Sequence, residues 1–371
     1  MTPELDAGGV EQATLDVARA AAAAGARSLV ASRGGALEHQ LAADGARLIP
    51  MSVHSKDPLI IAINAVRLAA LVRRERVSLI HVRSRAPAFS ALWASSRTGV
   101  PMVAGYHGIY SAGWAGKRWY NGVMTRGALT LANSTFTRDH ILAEHPLAPD
   151  KVVVIPEGVD LAVFDPDAVG PERIADVRAG WGLAATDRRA VVLLAGRLTR
   201  LKGHLLLIQA LAALPGKDKV VAIFAGGGGR DDYRAEVQAA ARAAGVDARL
   251  TGPCADMPAA YLAAALLAAP STQPETFGRT VVEAAAMGTL VLAAAHGGPA
   301  ETVAPGETGW LVAPGEPAAW TAALTIALAV KPKARAAMAA NARQRAKRLY
   351  SLDAMCDATF AVYRRVLEGR A

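Results

Sequence analysis

The stretch PETFGRTVVEAAAMG, Pro274 to Gly288, lies between two apolar runs, AAYLAAALLAAP (Ala259–Pro270) and TLVLAAA (Thr289–Ala295). Short apolar runs bounded by turn residues read as buried strands, and the segment between these two carries helical spacing. The order is therefore strand, loop, helix, strand. Glu275 falls in the loop, Phe277-Gly278-Arg279 opens the helix, and Glu283 sits inside it. A strand that returns through a helix to a neighbouring strand is a βαβ unit, and such units build parallel sheets covered by helices.

The same rhythm runs along the whole chain. SLVAS, RLIPM, VSLIHV, PMVAGY, LTLANS and VVVIP mark strands in the first half; VVLLAG, VVAIFAG, ARLTG, LLAAPS, LVLAA and GWLVA mark them in the second. Between the halves, VIPEGVDLAVFDPDAVGPERI is rich in Pro, Gly and Asp and reads as a linker, with a hinge near Gly158 to Gly170. A length of 371 residues also argues for two domains. The expected organisation is a Rossmann-like domain over residues 1–160, a second over 161–350, and an amphipathic helix over 351–371. One irregularity stands out in the first. GGVEQATLDVARA starts its helix at about Val10, so MTPELDA leaves little room for an opening strand of about 5 residues. That first strand is expected to be missing or truncated, leaving the first sheet without a central strand.

Bulk composition narrows the function. A hydrophobic fraction of 52% with 20% charged residues is ordinary for a globular protein with a sizeable core. Cys254 and Cys356 stand far apart, which fits neither a disulfide framework nor a zinc site and suggests a reducing, cytoplasmic setting. The polar, acidic start is no signal peptide, and PLIIAINAVRLAALV is too short to span a bilayer. The net charge of +9 raises nucleic acid or an anionic membrane as partners. Residues 1–150 carry 16 basic and 11 acidic residues and the remainder 25 and 21, a balance too even for a duplex binder, so no nucleic acid is expected. Between Ile60 and Arg138, however, eleven basic residues face one acid, Glu75. Within that span Trp114, Trp119 and Tyr120 interleave with Lys117, Arg118 and Arg126, a mixture suited to the inner face of a membrane.

The chemistry-bearing residues form two clusters. Eight helical positions would part Glu275 and Glu283 by about 12 Å of rise, too far for a natural glycosidase dyad. They suit two grips on one extended ligand. The amides at Gly278-Arg279-Thr280 form a helix N-terminus, which attracts phosphate. In VVLLAGRLTRLKGH, Arg197 and Lys202 follow a buried strand, where open α/β sheets bind ligands, and two cations there can neutralise a diphosphate. Solvated glutamates and surface salt bridges are the plain alternatives. The four glycines of AGGGGRDDY are a weak signal, as is the pair Gly8-Gly9, and His107 ends a strand just before Gly108. No dinucleotide or P-loop fingerprint is present, which disfavours a nicotinamide oxidoreductase.

Taken in order, GGVEQATLDVARA, YHGIY, ANSTFT, VIPEGVD, AGRLTRLKGH, PETFGRTVVEAAAMGTLVLAAAHGGPAETV and GETGWLV resemble the family 4 retaining glycosyltransferases of the GT-B fold, of the bacterial envelope polysaccharide and lipopolysaccharide type. The resemblance implies two Rossmann-like parallel-sheet domains facing a central cleft. It implies Glu275 at the donor sugar hydroxyls, Glu283 at the ribose, and Arg197 and Lys202 on the diphosphate. It also implies Phe277, Gly278 and Arg279 in the loop that touches sugar and phosphate, Gly8 and Gly9 in a glycine loop near the phosphates, and His107 on the acceptor side. Pro253 to Met257 match the region that cradles the base. The implied co-substrate is a UDP- or GDP-linked sugar, with no cofactor and no metal, and the implied acceptor is a glycan or glycolipid. Glu157 replaces an expected Asn or Arg. An epimerase or phosphorylase of the same fold is the rival reading.

Overall fold

The computed structural model describes residues 1–6, 8–110 and 113–369. All twelve runs named above form strands. In the first half these are β1 (Leu29–Ser32), β2 (Arg47–Pro50), β3 (Ile80–Val82), β4 (Met102–Tyr106), β5 (Leu129–Ala132) and β6 (Val152–Val154). In the second they are β7 (Ala190–Ala195), β8 (Val220–Ala225), β9 (Ala248–Gly252), β10 (Leu266–Ala269), β11 (Val291–Ala294) and β12 (Trp310–Val312). Every pairing between them is parallel. The chain divides into one compact unit of Met1–Gly158 with Leu352–Ala371 and another of Val159–Ser351. The helix at the end covers Leu352–Leu367, and Arg370 and Ala371 of the segment expected there lie outside the described residues.

The unit Val159–Ser351 holds one six-stranded sheet in the order β12-β11-β10-β7-β8-β9. Its opening strand shows why the sequence reads as an unbroken apolar run. Val192 and Leu194 of β7 enter a core with Leu207, Leu211 and Trp320 on one face. Val191, Leu193 and Ala195 enter a second core with Tyr261 and Val281 on the other. A strand buried on both faces keeps no polar alternation. The winding also matters for function. From β7 the chain steps outward through β8 and β9, then returns to β10 on the other side and continues through β11 and β12. The order reverses between β7 and β10, and the loops leaving those two strands therefore open onto a switch point, where doubly wound sheets bind ligands.

In the other unit the ladder is divided, β1 with β2 and β3 through β6 as a separate four-stranded sheet. The first residues run between the two. Thr2 N–H donates to the Ala31 carbonyl at 3.2 Å and Arg33 N–H to the Pro3 carbonyl at 3.2 Å. On the opposite side Arg83 N–H donates to the Met1 carbonyl at 3.0 Å, and the Met1 amino group to the His81 carbonyl at 2.6 Å. Met1–Pro3 thus takes the middle position without forming a ladder strand. The helix Gly9–Ala23 follows and packs Val17 in a core with Val103, Leu131, Met355 and Val362.

Candidate functional site

At the β7/β10 switch point the two sequence clusters meet. β7 ends at Ala195, and Gly196, with a positive φ of 149°, leads into Arg197 and a short 3-10 turn, Arg200–Lys202. Gly203, at φ 76°, then opens the helix His204–Ala212, and a Cβ on it would strike the Pro270 carbonyl at the end of β10. This close approach lets Lys202 reach across: its Nζ donates to Glu275 Oε2 at 2.7 Å. The Ser271 hydroxyl donates to Glu275 Oε1. Burial alone would raise the Glu275 carboxyl, but the Lys202 ammonium and the Ser271 bond outweigh it, and the pKa lies below the usual 4.5. An ammonium has three donors and Glu275 takes one of those on Lys202. The Arg197 guanidinium is exposed and makes no ion pair among the described residues. Cationic capacity therefore remains at this point of the sheet.

One turn further on, Gly278 takes φ 88° as the cap of the helix Arg279–Ala286, and a Cβ there would approach Pro299 Cγ to 2.8 Å. Phe277 is buried against Tyr350, with ring centroids 5.7 Å apart, and fixes the loop from below. Glu283 is buried and has its own partners. Tyr261 O–H donates to its Oε2 at 2.8 Å and Arg279 Nε to its Oε1 at 2.9 Å. The two glutamates are held by different cations on different elements, and they are not a dyad.

The site rests on neighbours that the sequence did not reveal. Gly298 N–H donates to the Glu275 carbonyl at 2.8 Å, and His296 Nε2 lies 2.8 Å from the Ser271 carbonyl, so the loop after β11 buttresses the Glu275 loop. The glycine loop after β8 abuts the turn that carries Arg197: Leu198 N–H donates to the Gly227 carbonyl at 3.2 Å, and Cβ atoms at Gly226 and Gly229 would collide with the Gly196 and Leu198 carbonyls. In the linker, Asp165 and Asp167 face Arg343 at 3.4 and 3.5 Å. Only a topological map brings these residues together.

His204, directly after Lys202-Gly203, gives a pH prediction. It is 1% exposed, 5.1 Å by ring centroid from Phe224, and burial with the nearby Lys202 charge lowers its pKa to about 4. A histidine held neutral in the fold favours the unfolded state once it protonates. Its contribution is complete above pH about 6.5 and is lost as pH falls from there toward about 4. Over that window the unit Val159–Ser351 is expected to lose about 3 kcal/mol, and His204→Asn to flatten the slope in urea unfolding curves taken at several pH values.

In the unit Met1–Gly158 with Leu352–Ala371, the ends of the strands gather a second network. Gly8 caps the helix Gly9–Ala23 in an extended conformation, and a Cβ on Gly9 would lie 3.8 Å from Glu157 Oε2. Glu157 is buried; Asn133 Nδ2 donates to its Oε1 at 2.9 Å, and His107 Nδ1 lies 3.4 Å from the same oxygen. Arg83 Nη1 donates to His107 Nε2 at 3.3 Å. An Arg donor requires a lone pair on Nε2, so the proton of His107 sits on Nδ1 and points at Glu157. The structure therefore brings His107 and Gly9 around Glu157, which is the hub of a buried network and not merely an acid near the linker.

Two α/β units, one of which carries exposed Arg197 and the Lys202–Glu275 pair at its switch point, make this a protein of the doubly wound class. Comparison with known proteins gives the family. Residues 7–163 match the family Glycosyltransferase Family 4, and residues 181–345 match Glycosyl transferases group 1. The D-inositol 3-phosphate glycosyltransferase 1 of Catenulispora acidiphila is 34% identical over 303 residues, covering 75% of this chain and 70% of the relative. The D-inositol 3-phosphate glycosyltransferase of Segniliparus rotundus is 34% identical over 249 residues, covering 65% of this chain, and the match spans about half, 53%, of that relative's length. Among solved structures, a glycosyltransferase from Rickettsia africae superposes with a TM-score of 0.89 at 27% identity, covering 100% of this chain and 98% of the other. Anabaena HepE in complex with UDP-glucose superposes at 0.83 and 25% identity, covering 98% and 100%. The chain belongs to the family 4 glycosyltransferases, and its fold is GT-B.

Proposed function

We propose that this chain moves a hexose-type sugar from a nucleoside-diphosphate donor to an acceptor hydroxyl, with retention at the anomeric carbon. The observation that supports this most is the Lys202–Glu275 bridge across the β7/β10 switch point, with exposed Arg197 on one side and the Gly278 helix cap on the other. In this reading Glu275 meets the donor sugar hydroxyls, Glu283 the ribose, and Phe277, Gly278 and Arg279 line sugar and phosphate. Gly8 and Gly9 act in this reading as the glycine loop for the phosphates, and His107 as the acceptor-side histidine. The HepE complex shows that a protein of this fold takes UDP-glucose, which supports a UDP- or GDP-linked donor here.

Chemically, the bond from the anomeric carbon to the diphosphate oxygen breaks and its electron pair leaves with the nucleoside diphosphate. The acceptor oxygen bonds to the same face of the sugar, and its proton passes to the departing phosphate oxygen. Arg197, Lys202 and the helix amides stabilise the charge that develops on that oxygen, without a metal. The test is a transfer assay with UDP- and GDP-sugars in the presence of EDTA. Acceptor-dependent release of nucleoside diphosphate, with an α-donor giving an α-glycoside, is expected. Release without an acceptor, epimerised donor, or loss of turnover in EDTA would contradict the reading.

For the acceptor we favour an envelope glycan or lipid-linked sugar at the inner face of the cytoplasmic membrane. No helix of the described residues is long and apolar enough to cross a membrane, so contact would be peripheral. Trp114 is 69% and Trp119 59% exposed, Lys117 and Arg118 are exposed beside them, and Arg126 lies 5.0 Å from the Trp119 ring. Such rings and cations gain at a lipid headgroup layer. Co-sedimentation with anionic liposomes at low salt is expected, and Lys117→Glu with Arg118→Glu should weaken it at least about thirtyfold, near 1 kcal/mol for each basic residue lost. The relatives' names point to a soluble alternative, a phosphorylated inositol, and including it in the acceptor panel separates the two.

A further inference from the structure

β11 ends at Ala294, and the turn that follows closes one side of the Glu275 loop. His296 N–H donates to the Ala294 carbonyl at 2.8 Å, which bends the chain sharply. Gly297, at φ 67°, and Gly298 then lie main chain to main chain against that loop. A Cβ on Gly297 would strike the Glu275 carbonyl, and one on Gly298 the Phe277 Cα. With no side chain at 297 or 298, His296 is the residue whose side chain this turn sets at the site.

Ser271 links His296 to Glu275. Its hydroxyl donates to Glu275 Oε1, and its carbonyl lies 2.8 Å from His296 Nε2. The imidazole is near enough that a charge on it favours the ionised Glu275 carboxylate. A carbonyl oxygen only accepts, so the His296 proton sits on Nε2. In the uncharged ring Nδ1 then holds a lone pair. It has no partner among the described residues, and the ring is only half-buried.

An open acceptor beside a carboxylate selects what can meet it. Phosphate oxygens bring lone pairs and negative charge of their own and are repelled there. Lys202 Nζ and the Arg197 guanidinium are donors and suit phosphate, whereas Glu275 and Nδ1 are acceptors and suit hydroxyl groups. The two kinds lie on different sides of the carboxylate. Glu275 Oε2 faces Lys202 in the loop after β7, and Oε1 faces Ser271, which carries His296.

We propose that His296 is a specificity-determining residue for the donor sugar: Nδ1 accepts a hydrogen bond from one sugar hydroxyl while Glu275 accepts from another. This rests on the nucleoside-diphosphate-sugar reading above and adds a second group that reads the sugar end. A donor sugar whose hydroxyl at Nδ1 is removed leaves that acceptor unmet, and a site built to bond a hydroxyl discriminates against the analogue that lacks it.

Titration calorimetry of UDP, UDP-glucose, GDP and GDP-mannose on the wild type and His296→Gln tests this. The Gln amide nitrogen can take the place of Nε2 and keep the Ser271 bond, but it sets no lone pair at the place of Nδ1. The sugar conjugate that binds the wild type is expected to bind His296→Gln about fivefold more weakly, with the matching free nucleotide almost unaffected. In the wild type, the 15N resonance of His296 Nδ1 should move with the conjugate and not with the nucleotide alone. Equal conjugate affinity in the two proteins would overturn the proposal. So would equal weakening of nucleotide and conjugate, which marks a buttress only, or an Nδ1 resonance indifferent to the conjugate. No nucleotide bound by a folded wild type would overturn the donor reading itself and this proposal with it.

Discussion

Lys202→Ala is expected to lower kcat about a thousandfold while leaving a folded protein. Removing one preorganised donor to a developing oxyanion costs about a hundred- to a thousandfold in other enzymes, and Lys202 also holds Glu275. Its loss strands a largely buried carboxylate that keeps the Ser271 hydroxyl as a donor but has lost its cation. A distinctive pH signature follows. In the wild type the Glu275 pKa is depressed, so its contribution to stability is present above about pH 4.5 and is lost as pH falls through the lower folded value. In the variant, burial prevails and the pKa rises above 4.5, so protonation should now favour the folded state. Unfolding curves at pH 4 and pH 7 are expected to cross over between the two proteins. Lys202→Ala combined with Glu275→Gln should regain stability but not turnover, because the stranded charge is gone and the diphosphate cation is still absent.

Glu283→Ala is expected to cost about 2–4 kcal/mol of stability, because it leaves the fully buried Tyr261 hydroxyl and the Arg279 guanidinium without their carboxylate. In a unit of this size that is roughly 5–10 °C in Tm. The functional part separates through a second variant. Glu283→Gln still accepts the Tyr261 O–H bond, so it should fold nearly as well, yet a neutral amide grips a ribose diol less strongly than a carboxylate. The expected result is a nucleotide Kd raised about tenfold in Glu283→Gln with kcat almost unchanged. Tyr261→Phe should destabilise without that change in Kd, and the double variant Tyr261→Phe/Glu283→Ala should fall short of the sum.

The strands were legible because each is an apolar run that ends in glycine, proline or a polar turn, and a strand buried on both faces writes itself as VVLLA or VVAIFA. The turn at Gly278 was legible for a similar reason, since a glycine before Arg-Thr-Val-Val marks a helix start. The partners within the site were not. Tyr261 sits in an apolar run and reads as core, and nothing local says that its hydroxyl meets Glu283, 22 positions on. Ser271 and His296 become visible only once β10 and β11 are known to be neighbours. Glu157 reads only as an acid in place of an Asn or Arg, yet His107 and Asn133, which follow two strands, meet it directly and Arg83, after a third, meets it through His107. Sequence periodicity reports how a residue meets solvent, and topology reports which residues it meets.

The most direct test of the central claim is titration calorimetry of UDP, GDP and ADP, and of their sugar conjugates, against the wild type and Lys202→Met. The account predicts that one nucleoside diphosphate binds with a Kd of about 1–100 μM and that Lys202→Met weakens it at least about tenfold, a loss of about 1.4 kcal/mol. Equal affinity in the two proteins, or no binding of any nucleotide by a folded wild type, would contradict a diphosphate site at the β7/β10 switch point.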